Sequence, residues 1–62
     1  PVDVMQLAAY KFMKNGIHPE NFKQCTVARK LKIRVDDSKL HDALYDIQLT
    51  QKIYNKLIKM KG

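Results

Sequence analysis

Little in this 62-residue sequence lends itself to stapling: it has one cysteine, Cys25, two histidines, His18 and His41, and no tryptophan. A lone cysteine closes no internal disulfide, and one Cys with two His falls short of a zinc-finger ligand set. Two glycines and two prolines are too few for a low-complexity linker. No apolar run approaches the roughly 18 residues of a membrane-spanning helix, and no secretory-signal pattern is visible. A soluble, cytoplasmic chain with no membrane contact is the expectation. Carboxylates are scarce as well, six Asp plus Glu against twelve Lys plus Arg, for a net charge of +6. The cations gather at Lys23, Arg29, Lys30, Lys32 and Arg34, and again at Lys52, Lys56, Lys59 and Lys61, beyond the last acid, Asp46. A polyanionic partner fits this balance, and so does a merely solvated surface. A chain of this length hides only about 60% of the surface its unfolded form exposes, so a large enzyme core with its own walled pocket is not expected.

Three amphipathic helices are expected, over about 3–15, 19–32 and 39–60. In the first, Asp3 is a cap with Gln6 at the capping-box position, and Val4, Met5, Leu7, Ala8 and Phe12 form the apolar face. Asn15-Gly16 ends it. Pro19 suits the first position of the second helix, whose seam is Phe22, Cys25, Ala28 and Leu31. Residues 32–35 read as a loop with two inward side chains. Asp36-Asp37-Ser38 precedes the third helix, whose expected stripe is Leu40, Leu44, Ile47, Thr50, Tyr54 and Leu57, widened by Ala43, Ile53 and Ile58. An extended start is possible at Pro1–Val2. The fold class is mostly α, either a small three-helix domain or the helical layer of an α/β domain whose strands lie elsewhere.

The densest polar constellation is His41-Asp42-Ala43-Leu44-Tyr45-Asp46. Asp42 and Asp46, four apart, share a helix face, whereas His41 and Asp46 lie about 140° apart on an ideal helix. An imidazole projecting from the turn before the helix reaches a water held by a metal on Asp46 without sharing that stripe. Hydrolysis of this kind needs hard oxygen ligands for magnesium or manganese and a group to take the water's proton. The same acids also read as ordinary first-turn residues favoured by the helix dipole. Cys25 reads as an inert thiol on an apolar seam. Tyr45 is placed to touch a substrate, and Lys39 and Lys52 are candidate phosphate contacts.

Residues 26–33, T-V-A-R-K-L-K-I, followed by 36–57, D-D-S-K-L-H-D-A-L-Y-D-I-Q-L-T-Q-K-I-Y-N-K-L, resemble the closing portion of the DEDDh class of 3′-to-5′ exonucleases, the family of proofreading subunits and ribonuclease T. His41, Asp46 and Thr50 stand at the places of that family's His, its Asp after four intervening residues, and its Thr-containing helix. The start P-V-D-V-M-Q-L-A is similar to the family's segment after its second catalytic motif, which makes Asp3 structural. The resemblance implies the helical C-terminal part of an RNase H-like α/β exonuclease fold. It also implies Asp46 as ligand of a catalytic metal, His41 as general base, and two Mg²⁺ or Mn²⁺ ions in the complete domain. The substrate is then a single-stranded 3′ end of DNA or RNA, released as nucleoside monophosphates. The family's other three carboxylates have no counterpart in residues 1–62, so the chain is expected to be inactive without the N-terminal remainder of the domain or a partner chain that supplies it.

Two other classes compete. Residues 26–33 also look like the first helix and turn of a helix-turn-helix DNA-binding module, although Lys32 stands where a Gly is usual and Asp36-Asp37 would meet phosphates. A helical protein-interaction module, with broad apolar faces that dock on a partner, is the third.

Overall fold

A computed structural model describes residues 3–61. Asp3 opens the first helix by accepting from the N–H groups of Met5 and Gln6 at 3.0 and 3.3 Å, two of the donors a helix start leaves unpaired. Helix α1 then runs Val4–Lys14. Its end is a Schellman motif: Gly16 N–H donates to Met13 O and Ile17 N–H to Phe12 O, with Gly16 at φ +71°, where a Cβ would be strained.

The second helix is shorter than its pattern suggests. Helix α2 covers Gln24–Lys30, and Pro19 lies in the preceding loop, not at a helix start. Asn21 Oδ1 accepts from Lys23 N–H at 3.0 Å, a local turn that competes with helix, and β-branched Thr26 and Val27 weaken propagation. Helix α2 closes on the same Schellman pattern as α1, with Lys32 N–H donating to Arg29 O and Ile33 N–H to Ala28 O, both at 2.9 Å. Here the left-handed residue is Lys32, at φ +62°. A non-glycine residue pays about 1–2 kcal/mol in that region, part of which glycine gives back through unfolded-chain entropy. Lys32→Gly is therefore expected to stabilise the domain by about 0.5–1 kcal/mol, a rise of a few degrees in Tm for a chain this size, read by thermal melting.

Residues 33–36 are extended loop, with Ile33 and Val35 half-buried against the core, as the alternation implies. A 3₁₀ turn at Asp37–Lys39 follows, with Asp36 Oδ1 accepting from Ser38 N–H at 3.0 Å. The long helix begins later than expected: α3 is Ala43–Leu57, capped by Asp42, which accepts from Leu44 and Tyr45 N–H. Of the expected Asp36-Asp37-Ser38 run, Asp36 opens the 3₁₀ turn, and the helix takes its cap from Asp42 further on.

Helix α3 packs against both α1 and α2. The core is Ala8, Phe12, Val27, Ala28, Leu49, Ile53 and Leu57, with Phe22 tilted against Phe12 at a ring separation of 6.3 Å. The buried stripe of α3 is thus Leu49, Ile53 and Leu57. It keeps Leu57 and Ile53 of the expected face, but Leu49 takes the place of Leu44 and Ile47, which are 62% and 66% exposed. Apolar side chains lie on two faces of this helix, and α1 and α2 cover only one. The Cα radius of gyration, 11.2 Å, is close to the ~11 Å of a folded chain this long. The architecture is three-helix and all-α, with no strand among the described residues. The possible extended start at Pro1–Val2 lies outside them.

Candidate active-site turn

The start of α3 is held from two directions. Gln24 on α2 donates its Nε2 to Asp46 O at 2.9 Å and to Thr50 Oγ1 at 2.7 Å, and Thr50 Oγ1 donates to the same Asp46 carbonyl at 2.9 Å. This clamp pins the backbone turn that carries Asp46 to α2. From the other side, Asp36 N–H donates to the Tyr45 hydroxyl at 2.8 Å, and Arg29 pairs with Asp37 at 2.6 Å. Both partners of that ion pair are more than half exposed, so it adds about 0.2–1 kcal/mol at most and mainly keeps the 3₁₀ turn against α2.

Asp36 accepts from both the hydroxyl and the N–H of Ser38, at 2.6 and 3.0 Å. These bonds, the hydroxyl first, hold its carboxyl below its ordinary 3.8. A depressed carboxyl contributes stability that is complete above the unfolded value and is lost as pH falls through the folded one. The turn before His41 therefore loosens only below about pH 4. In Ser38→Ala, the Asp36 titration followed by NMR is expected to move up toward 3.8.

Between these anchors, His41 occupies the turn that joins the 3₁₀ segment to α3, and Asp46 lies in the first turn of the helix. Both side chains are exposed. Asp42 spends its carboxylate on capping, whereas the clamp on Asp46 uses only its main-chain carbonyl, so neither His41 nor the Asp46 carboxylate is committed to the fold. Lys39 is exposed on the 3₁₀ turn and Lys52 on the outer side of α3. Tyr45 is half-buried and packed against the core, with its hydroxyl engaged by Asp36. The structural use of Gln24 and of Tyr45's hydroxyl had no sequence signal, because each bond joins residues from separate elements.

Among the described residues no three His, Cys, Asp or Glu side chains come together in a group able to hold a metal ion. Asp46 supplies one hard oxygen donor, too few for a magnesium or manganese site built from this chain alone. Cys25 is free and half-buried. No helix is long and apolar enough to cross a membrane among the described residues. No family model matches the sequence, and no curated protein and no solved structure matches the chain.

Proposed function

We propose that this chain is a small basic helical module that docks on a larger partner, and more narrowly that it is the helical closing part of a metal-dependent 3′-to-5′ exonuclease of the DEDDh kind, acting on DNA or RNA ends. The observation that supports the reading is the division of labour at the start of α3. Asp42 caps the helix, Gln24 and Thr50 brace its backbone, and His41 and the Asp46 carboxylate remain exposed at the same end. Asp42 does the capping, so the Asp46 carboxylate, favoured in the first turn by the helix dipole, accepts no capping hydrogen bond.

In this reading Asp46 contributes one oxygen ligand and His41 accepts the proton of the attacking water. The metal pair, when bound, neutralises phosphate charge and makes that water more acidic. The remaining carboxylates come from polypeptide outside residues 1–62. Lys39 and Lys52 contact phosphates of the single-stranded 3′ end, and Tyr45 offers the part of its ring that core packing leaves open.

A second reading rests on a specific observation. Leu44, Ile47 and Ile58, 62%, 66% and 52% exposed, recur along one outer side of α3, and an apolar stripe of this kind marks a docking face. In the exonuclease reading that face meets the rest of the domain; in a helical protein-interaction module it meets another protein. A helix-turn-helix reading is less well served, because residues 31–42 separate α2 from α3, far more than the about three or four residues of such a turn.

The test is hydrolysis of a 3′-ended single strand with Mg²⁺ or Mn²⁺. The chain alone should release nothing, and the polypeptide that joins it to the other carboxylates should release nucleoside monophosphates stepwise. Metal-dependent release by that polypeptide that does not need Asp46 overturns the assignment and leaves the interaction module.

A further inference from the structure

A second feature of α3 lies away from His41 and Asp46. Lys52 and Lys56 lie four apart on one side of the helix, and Lys59 follows three residues on, just past its end. With Ile33, Arg34 and Asn55 they line an open groove of about 370 Å³ between α3 and the extended segment at residues 33–36. Four cations face this groove, and no carboxylate lines it.

The wall opposite the helix is held in place. Ile33 N–H donates to Ala28 O at 2.9 Å on one side of Arg34, and Asp36 N–H donates to the Tyr45 hydroxyl at 2.8 Å on the other. Ile33 is half-buried and gives the groove an apolar base. Gln51 Nε2 donates to Asn55 Oδ1 at 3.1 Å, so the Asn55 amide group keeps its own N–H donors for an acceptor in the groove. The helix dipole accounts for lysines in the final turn, such as Lys56, but not for Lys52 or Arg34. Lys52 and Lys56, as like charges four apart, repel each other, a cost that an anion between them removes.

We propose that this groove is a binding track for the phosphodiester backbone of a nucleic acid, read without regard to base sequence. From Lys52 to Lys56 the helix rises about 6 Å, and Lys59 follows just past its end, a reach that meets two or three successive phosphates of one strand. No aromatic side chain lines the groove, so bases have nothing to stack on and the contacts are to phosphate and sugar, which position without specifying. A recessed channel suits a linear polyanion better than a bilayer. The exposed Leu44, Ile47 and Ile58 lie about 120° around α3 from the lysines, so apolar and cationic groups do not present one face to a membrane. The inference does not depend on hydrolysis at His41 and Asp46.

The test is fluorescence anisotropy of the whole chain with a labelled single-stranded oligonucleotide of about 20 nucleotides, without divalent metal, over a range of salt. Affinity should fall with salt at a log–log slope of about −2 to −3, as for three to four phosphate contacts. Lys56→Gln should weaken every sequence alike and flatten the slope by about 0.7. The triple variant Lys52→Gln, Lys56→Gln, Lys59→Gln should lose about tenfold or more in affinity, with an unchanged melting curve, while Lys56→Arg keeps binding. Lys23→Gln and Lys30→Gln, outside the groove, should bind as the parent does. Equal losses at Lys23 and Lys30 overturn the groove in favour of diffuse charge. Binding to phosphatidylserine–phosphatidylcholine vesicles with none to the oligonucleotide overturns the nucleic acid. Lys52 is shared with the substrate contact proposed above, so failure here removes that contact but leaves the roles of His41 and Asp46, and loss of hydrolysis with binding retained leaves this groove intact.

Discussion

Ile53→Ala is expected to remove about 2–5 kcal/mol of stability, while Ile47→Ala, the same substitution on the same helix, changes it by no more than about 0.5 kcal/mol. Ile53 is fully buried in the core that α3 shares with α1 and α2, and Ile47 is 66% exposed. Truncating the first leaves a cavity in a core of seven buried residues, with few neighbours able to collapse into it. Truncating the second returns apolar surface that was already wet. Helix propensity changes equally in both, so it cancels from the comparison. A domain this small holds only about 3–5 kcal/mol from a single core, so Ile53→Ala should melt at or below room temperature while Ile47→Ala melts like the parent. Thermal and urea unfolding of the two variants read the difference. Equal losses would mean that α3 is turned about its axis from the arrangement described.

The second large effect is on chemistry. In the polypeptide that brings the remaining carboxylates to this chain, His41→Ala should lower kcat by about 10²–10⁴-fold, the usual worth of a general base. Asp46→Asn should cost at least as much, since an amide is a far poorer ligand for a hard cation than a carboxylate. Neither change should unfold the chain. Both side chains are exposed, and the hydrogen bonds that pin Asp46 run to its backbone carbonyl, which Asn retains. The stability cost of Asp46→Asn is limited to its favourable place at the positive end of α3, about 0.3–1 kcal/mol. Activity lost with an unchanged melt identifies a functional carboxylate. Undiminished activity in Asp46→Asn would turn the reading toward the interaction module, and Ile47→Asp would then test the docking face by its effect on partner binding.

Much of this molecule was legible along the chain. Asp3 and Gly16 perform local tasks, capping and left-handed turning, that depend on their nearest neighbours and so show in the sequence, whereas the cap of α3 fell to Asp42 instead of the expected Asp36-Asp37-Ser38. The loop with inward Ile33 and Val35 was visible in the same way. The start of α2 was not, because Pro19 is equally compatible with a helix start and with the loop it occupies, and the Asn21 turn tips the balance. The candidate site was partly legible: His41 and Asp46 stand out by spacing, while the Gln24 clamp that steadies Asp46 joins residues far apart in the chain.

By itself the sequence determined three helices in a mostly α chain, the caps of the first and its excess of positive charge. Only the tertiary structure decided which apolar side of α3 is covered and which cations share a groove. Helical periodicity is satisfied equally by Leu49, Ile53 and Leu57 or by Leu44, Ile47 and Ile58, and the choice falls to where α1 and α2 lie. Likewise, Arg34 faces Lys52, Lys56 and Lys59 only because two hydrogen bonds hold an extended segment beside a helix more than a dozen residues further along.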